Sequence, residues 1–324
     1  MRILVTGAAG FIASRLMYEL KLRGHEVTGV DNFNSYYDVR LKHARCREFG
    51  LDVRPLDISD KAALDSLFAE CGFDKVVNLA AQAGVRYSIE APYAYLQSNL
   101  TGFLNILEAG RNYGVKHLVY ASSSSVYGLN AKIPYSEADK TDSPASLYAA
   151  TKKSNELMAH AYCSLYGIAM TGLRYFTVYG PWGRPDMAPM LFARAIIKGE
   201  PIKVFNGGDM MRDFTFIDDI VAGTVACVES EPVPEESGRR FRVYNIGCGH
   251  PVKLLDFISE LEKALGIKAV PEYLPMQKGD VYQTYADTSL LEAETGYKPR
   301  VLLPEGIGAF ARWYKSEKNP LRDL

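Results

Sequence analysis

Tyr148-Ala149-Ala150-Thr151-Lys152 sets a phenol and an ammonium one helical turn apart, on one face of a helix. A cation near a tyrosine favours the phenolate and draws its pKa down from about 10 toward neutrality. Such a phenolate can take the proton of a sugar-type hydroxyl while a hydride leaves the same carbon. The spacing alone carries little weight: the chain has 21 tyrosines, and the spacing recurs at Tyr314 and Lys318. The setting separates the two copies. Tyr148 and Lys152 follow Ser122-Ser123-Ser124-Ser125-Val126-Tyr127-Gly128, whereas Tyr314 and Lys318 lie in a charged tail with no such serines before them. The four hydroxyls close an apolar run at 117–121, and strand carboxyl ends are where open parallel sheets bind ligands.

A second constellation stands at the start of the chain. Residues 3–6 run into Gly7-Ala8-Ala9-Gly10-Phe11-Ile12-Ala13 and then a helical pattern. The glycines allow a tight turn and let the backbone approach a pyrophosphate, which then meets the unpaired N–H groups of the helix start. Asp31 closes the next apolar run, 26–30. A carboxylate there accepts hydrogen bonds from both ribose hydroxyls and repels a 2′-phosphate, which favours NAD over NADP.

The elements that must position these groups are strands at 3–6, 26–30, 52–56, 75–79, 117–121 and 170–175, written as continuous apolar runs. Helical patterns lie between them at 11–23, 61–71, 96–113 and 147–166, with Gly24, Gly114 and Gly167 just past three of the ends. This alternation predicts an α/β fold with a Rossmann-type, doubly wound parallel sheet as a NAD-binding domain over 1–176. Beyond it Pro181, Pro185, Pro189 and Pro201 interrupt the rhythm. Residues 177–324 are expected to form a smaller α/β substrate-binding domain, with strands able to interleave across the boundary.

Composition narrows the function. In 324 residues, 37 Lys+Arg balance 38 Asp+Glu for a net charge of −1, which argues against a nucleic-acid partner. No apolar run approaches the roughly 20 residues of a membrane span. The first seven residues reach glycine without a secretory signal's apolar segment. Five scattered cysteines without a Cys-x-x-Cys pair predict reduced thiols, a cytoplasmic setting and no metal site.

Taken in order, the glycine turn, Asp31-Asn32, Asp57-Ile58, Leu79-Ala80-Ala81, Asn99, the serines, Tyr148 with Lys152, Arg174-Tyr175-Phe176 and Arg212-Asp213-Phe214 make the resemblance specific. Essentially the whole chain resembles the nucleotide-sugar epimerase/dehydratase branch of the extended short-chain dehydrogenase/reductase family. Ala13 stands where that family usually has its last glycine. The resemblance implies a tightly held NAD on Gly7, Gly10, Phe11, Ile12, Asp31, Asn32 and Asn99, with Asp57 and Ile58 flanking the adenine. It further places Leu79, Ala80 and Ala81 at the diphosphate-ribose, and Tyr175 and Val178 beside the nicotinamide, near Tyr148 and Lys152. Ser123 falls on the catalytic Ser/Thr, a role Ser124 could share.

Reactions of this branch begin by oxidising C4 of the sugar. Its dehydratases and decarboxylases carry an acidic residue just after the catalytic Ser/Thr, where this chain has Ser124 and Ser125. That favours epimerisation, with NAD regenerated in each cycle. The segments 31–38, 179–187, 209–214 and 275–280 resemble UDP-glucuronate 4-epimerases and imply a UDP-sugar substrate, UDP-glucuronate giving UDP-galacturonate. A UDP-glucose 4-epimerase and a UDP-glucuronate decarboxylase are the alternatives. The expected substrate set is Arg86, Ser124, Ser125, Thr177, Arg184, Arg212, Gln277 and Asp280. Ser124, Ser125, Thr177 and Arg184 would meet a uronic carboxylate, the arginine without a fixed counter-acid. Arg212 would clamp the diphosphate, and Gln277 and Asp280 the uridine ribose. The resemblance also implies a homodimer formed through 96–113 and 147–166.

Overall fold

The computed structural model describes residues 1–277 and 281–323. Six strands are met up to residue 175: β1 (Arg2–Thr6), β2 (Glu26–Asp31), β3 (Val53–Pro55), β4 (Lys75–Asn78), β5 (His117–Ser123) and β6 (Ala169–Tyr175). They lie in one parallel sheet ordered β3-β2-β1-β4-β5-β6, and Phe241–Ile246 adds a seventh, parallel strand beside β6. Successive strand residues enter different cores, as the pleat requires. Ile3 and Val5 pack with Leu16, Leu20 and Ile220, whereas Leu4 packs with Leu64, Phe68 and Ile106. Both faces are therefore covered by helices, which is why the strands read as unbroken apolar runs.

Up to residue 166 the helices follow the expected plan, with one of them divided and three added. Leu147–Tyr166 starts at Ser146, whose side chain accepts from the Ala149 N–H, and stops at Gly167 with φ of 71°. The helix expected over 96–113 is divided. Leu96–Thr101 is a π-helical turn and the α-helix proper is Gly102–Asn112. The join is tight, since a Cβ on Gly102 would lie 2.7 Å from the Ile58 side chain. The additions are the short turns Tyr87–Glu90 and Pro92–Tyr95 and the longer Val39–Glu48, capped by the Asp38 carboxylate on the Arg40 N–H.

Beyond β6 the chain makes short two-stranded pairings, Thr177–Tyr179 with Phe214–Phe216 and Pro201–Phe205 with Val270–Leu274. Residues 217–229 return as a helix against Phe11–Leu22, and one core runs from Ile3 through Ile220 to Phe310. Tyr314, of the second Tyr-x-x-x-Lys copy, is part of that core, and Lys318 pairs with Glu48 at 2.7 Å. That copy serves packing.

Candidate active site

The strand order reverses between β1 and β4, and a cleft of about 440 Å³ opens at the carboxyl ends of the strands there. Thr6 bridges the two strands by donating to the Asn78 side-chain oxygen at 2.6 Å and accepting from the Ala80 N–H at 3.1 Å. The glycine turn is cut to this spot. Gly7 has φ of 66°, and a Cβ on it would lie 2.9 Å from Ala80 Cα. On Gly10 a Cβ would lie 2.8 Å from the Gly7 carbonyl oxygen. The helix behind, Phe11–Leu22, begins with no side-chain cap, so its first N–H groups are free to meet an anion. This cradle fits a dinucleotide pyrophosphate.

Asp31 lies at the end of β2, buried, and is already organised. Its Oδ1 accepts from the Phe33 N–H at 2.7 Å and Lys42 Nζ at 3.0 Å, and its Oδ2 from the Ala9 N–H at 3.2 Å. A carboxylate has about four acceptor sites, so one remains besides these three. Asn32 donates to Asp57 at 2.8 Å, and Ser59 donates twice to the same carboxylate. Burial opposes the Asp57 charge, yet these bonds bring its pKa below the ordinary value. Gly7, Gly10, Phe11, Ile12, Asp31, Asn32, Asp57, Ile58, Leu79, Ala80, Ala81, Tyr175 and Val178 all line the cleft. Asn99 does not. Its amide is spent on the main chain of Gln82, at 2.8 and 3.0 Å, and on Thr151, so it shapes the loop after β4.

Tyr148, Lys152 and the serines meet in the middle of the same cleft. Ser123 ends β5 and accepts from the Ser125 N–H at 3.2 Å and its hydroxyl at 2.9 Å. The Ser123 side chain also lies close enough to the Tyr148 phenol to favour its ionised form. Ser122 points away, donating to Glu156 at 2.7 Å in a buried network with Arg174. The expected electrostatics of the pair need correction. Burial raises the Tyr148 phenol above its ordinary value, opposed by the Ser123 side chain and by the Arg184 charge. Lys152 is itself buried, donates to the Ala121 carbonyl at 2.8 Å and is brought down to about 8 by desolvation. Arg184 is thus a cation acting on the phenol that the helical spacing does not show.

Arg184 also departs from expectation, for it has a fixed counter-acid. Its Nε and Nη2 donate to the two carboxylate oxygens of Asp186 at 3.0 and 2.5 Å, and Tyr36 donates to the same carboxylate at 3.0 Å. Burial works against the Asp186 charge, but Arg184 and Tyr36 hold its pKa below the ordinary range. Ser124, Ser125, Thr177, Arg184 and Arg212 line the cleft. Arg212 Nη1 donates to the carbonyls of Met211 and Tyr282 at 2.8 and 3.0 Å. Arg86 and Gln277 do not line it, and the Arg86 guanidinium lies 5.3 Å over the Phe205 ring. Asp280 falls outside the described residues.

Residues 3–247 match the model of the NAD dependent epimerase/dehydratase family. The chain belongs to this family. It is similar to the UDP-glucuronate 4-epimerase 3 of Arabidopsis thaliana, 48% identical over 326 residues, covering 96% of this chain and 76% of that one. A probable UDP-glucuronate 4-epimerase of Rhizobium meliloti is 47% identical over 330 residues, with 97% of each chain covered. Among solved structures, a UDP-glucuronic acid 4-epimerase from Bacillus cereus, in complex with UDP-glucuronic acid and NAD, superposes with a TM-score of 0.86 at 35% identity. That match covers 97% of this chain and 98% of the other.

In this epimerase/dehydratase chain, sequence reading passed over Lys42, Arg45, Tyr36 and Asp186. Arg45 is fully buried, donating to the carbonyls of Trp182 at 3.0 and 2.7 Å, Gly183 at 3.3 Å and Ala9 at 3.0 Å, and to the Tyr37 hydroxyl. It ties the glycine turn to the segment that carries Arg184. The signal available was the Asp38 cap, but a buried helix face of Leu41, Lys42, Ala44 and Arg45 hides its amphipathicity behind two cations.

Proposed function

We propose that the chain is an NAD-dependent 4-epimerase that interconverts UDP-glucuronate and UDP-galacturonate. The observation that carries this is the convergence of Ser123, Tyr148 and Arg184 in one cleft with the glycine cradle and Asp31. The relatives' substrates supply the sugar's identity. Tyr148 takes the C4 hydroxyl proton, and Ser123, beside it in the cleft, holds the reacting oxygen. Bound NAD accepts the C4 hydride and returns it to the opposite face, so no outside oxidant is consumed. Tyr148 then gives the proton back. Lys152, held by Ala121 beneath it, orients the ribose next to the reacting carbon.

Residues 1–176, joined by the strand Phe241–Ile246, hold the cofactor, and the cleft-lining segments that follow residue 176 close over the sugar. Ser124, Ser125, Thr177 and Arg184 receive the uronic carboxylate, and Arg212 receives the diphosphate. Neither Ser124 nor Ser125 can shuttle protons as the acid of a dehydratase would, which supports simple hydride return. Exposed Leu157, Leu165 and Tyr166 on Leu147–Tyr166, with Leu104 on Gly102–Asn112, support a homodimer through these helices. Five free cysteines support a reducing, cytoplasmic compartment. Among the described residues no helix is long and apolar enough to cross a membrane.

Incubating the protein as purified with UDP-glucuronate and with UDP-glucose, separately, and reading products by proton NMR tests the assignment. UDP-galacturonate is the expected product. Conversion of UDP-glucose alone, or of UDP-glucuronate to a UDP-pentose, would replace it with one of the two alternatives.

A further inference from the structure

We propose that Asp186, steadied by Tyr36, is a positioning residue that aims Arg184 at the substrate carboxylate. The inference rests on UDP-glucuronate being the substrate. A guanidinium has five N–H donors in a rigid plane, and a carboxylate gripping Nε and one Nη fixes that plane. Asp186 grips Nε and Nη2 of Arg184 in this way. Nη1 makes no hydrogen bond among the described residues, and Arg184 lines the cleft with Tyr148 and Ser123. One edge of the arginine is thus anchored to the protein, and the other is presented to a second carboxylate.

The anchor is itself held from two sides. The Tyr36 hydroxyl donates to Asp186 at 3.0 Å, and its ring packs 4.8 Å from that of Tyr87. Gly84 makes the room: a Cβ there would lie 2.7 Å from the Tyr36 hydroxyl. Arg45 pins the carbonyls of Trp182 and Gly183, immediately before Arg184. Tyr36, Tyr37 and Arg45 all belong to the segment after β2, so the residues next to Asp31 also set the arginine.

Fixing the arginine matters because a 4-keto uronate is a β-keto acid. In its decomposition the C5–C6 bond breaks, the electron pair enters the C4 ketone as an enolate, CO2 leaves, and a solvent proton completes C5. The bond breaks readily only when aligned with the ketone π system. A carboxylate held on the fixed edge of Arg184 is kept from turning into that alignment.

The test compares wild type with Asp186→Asn, Asp186→Glu and Tyr36→Phe, measuring KM and kcat for UDP-glucuronate, CO2 release per turnover and NAD content. Asp186→Asn sets an amide N–H against a guanidinium N–H and loses a charge-assisted pair, so KM should rise about tenfold or more with NAD retained. CO2 per turnover should rise by a similar factor. Tyr36→Phe should move both in the same direction by about threefold, and Asp186→Glu should recover part of the loss. Unchanged KM and CO2 release in Asp186→Asn and Tyr36→Phe, in an enzyme whose wild type epimerises UDP-glucuronate, overturns the positioning role alone. A wild type that converts no UDP-glucuronate overturns the substrate reading and this inference together.

Discussion

At the Gly7–Asp31 side of the cleft, the groups offered to a ligand are backbone and strand-end side chains. The Gly7 turn sits against Ala80, and Asp31 is held by the Ala9 and Phe33 N–H groups, with Lys42 as its one side-chain partner among the described residues. At the Arg184 side they are long side chains on irregular chain, and each is held by another side chain: Arg184 by Asp186, Asp186 by Tyr36, and the loop beneath by Arg45. The first side is fixed by the sheet and tolerates little change in backbone. The second is fixed by a chain of hydrogen bonds, any one of which a single substitution can remove. The difference fits the division of labour, since a cofactor retained through every cycle needs a stiff cradle and a sugar that must turn over does not.

Four substitutions can break or sharpen this contrast. The largest effect belongs to Tyr148→Phe, which stands between the two sides. Loss of the acid–base group should lower kcat by about 10³-fold with NAD content unchanged. Stopped-flow or NMR rates with a count of bound NAD check both halves, and full activity would remove Tyr148 from the proposed role. Next comes Arg45→Met, which cuts the tie between the sides. It strands the carbonyls of Ala9, Trp182 and Gly183 in the interior and should cost about 3 kcal/mol in a urea melt. A variant as stable as wild type would mean that the two sides are independent.

Asp31→Ala acts on the stiff side only. It should weaken NAD binding by roughly 10- to 100-fold and let NADP compete, leaving the KM for the UDP-sugar near wild type. Titration of both dinucleotides decides, and an unchanged preference would contradict the assigned contact. The last substitution lies at the amino end of β5, remote from the cleft. Burial brings the His117 imidazole from 6.5 down to about 3. Between these values the unfolded chain binds a proton that the folded one does not. The contribution of neutral His117 is therefore complete above about pH 6.5 and is lost as pH falls toward 3, at about 1.4 kcal/mol per pH unit. His117→Gln should flatten that slope in melts between about pH 4.5 and 6.5. A slope equal to wild type would place the acid sensitivity elsewhere.

The same contrast explains what could be read from residues alone. β1, the glycine turn, Asp31, the serines and Tyr148 with Lys152 are local patterns, and each was legible because a few consecutive residues carry its physics. Asp186 as the partner of Arg184 was not, since two residues of separation in an irregular loop dictate no contact. Val39–Glu48 escaped because its inner face buries Lys42 and Arg45, whose carbonyl and carboxylate partners come from distant segments. Arg86 looked suited to an anion by type alone, yet it sits outside the cleft on Phe205. The ionisation of Tyr148 was misjudged for a related reason. Neighbours on one helix are visible in sequence, but the Arg184 charge and the depth of Lys152 arise only when the chain closes on itself.

The central claim is that the C4 hydride is removed and returned within one site. Turnover of UDP-glucuronate deuterated at C4, by the protein as purified and with no NAD added, tests it most directly. UDP-galacturonate with the deuterium still on C4 is the expected product. Loss of the label to solvent, or release of CO2 with a UDP-pentose, would contradict it.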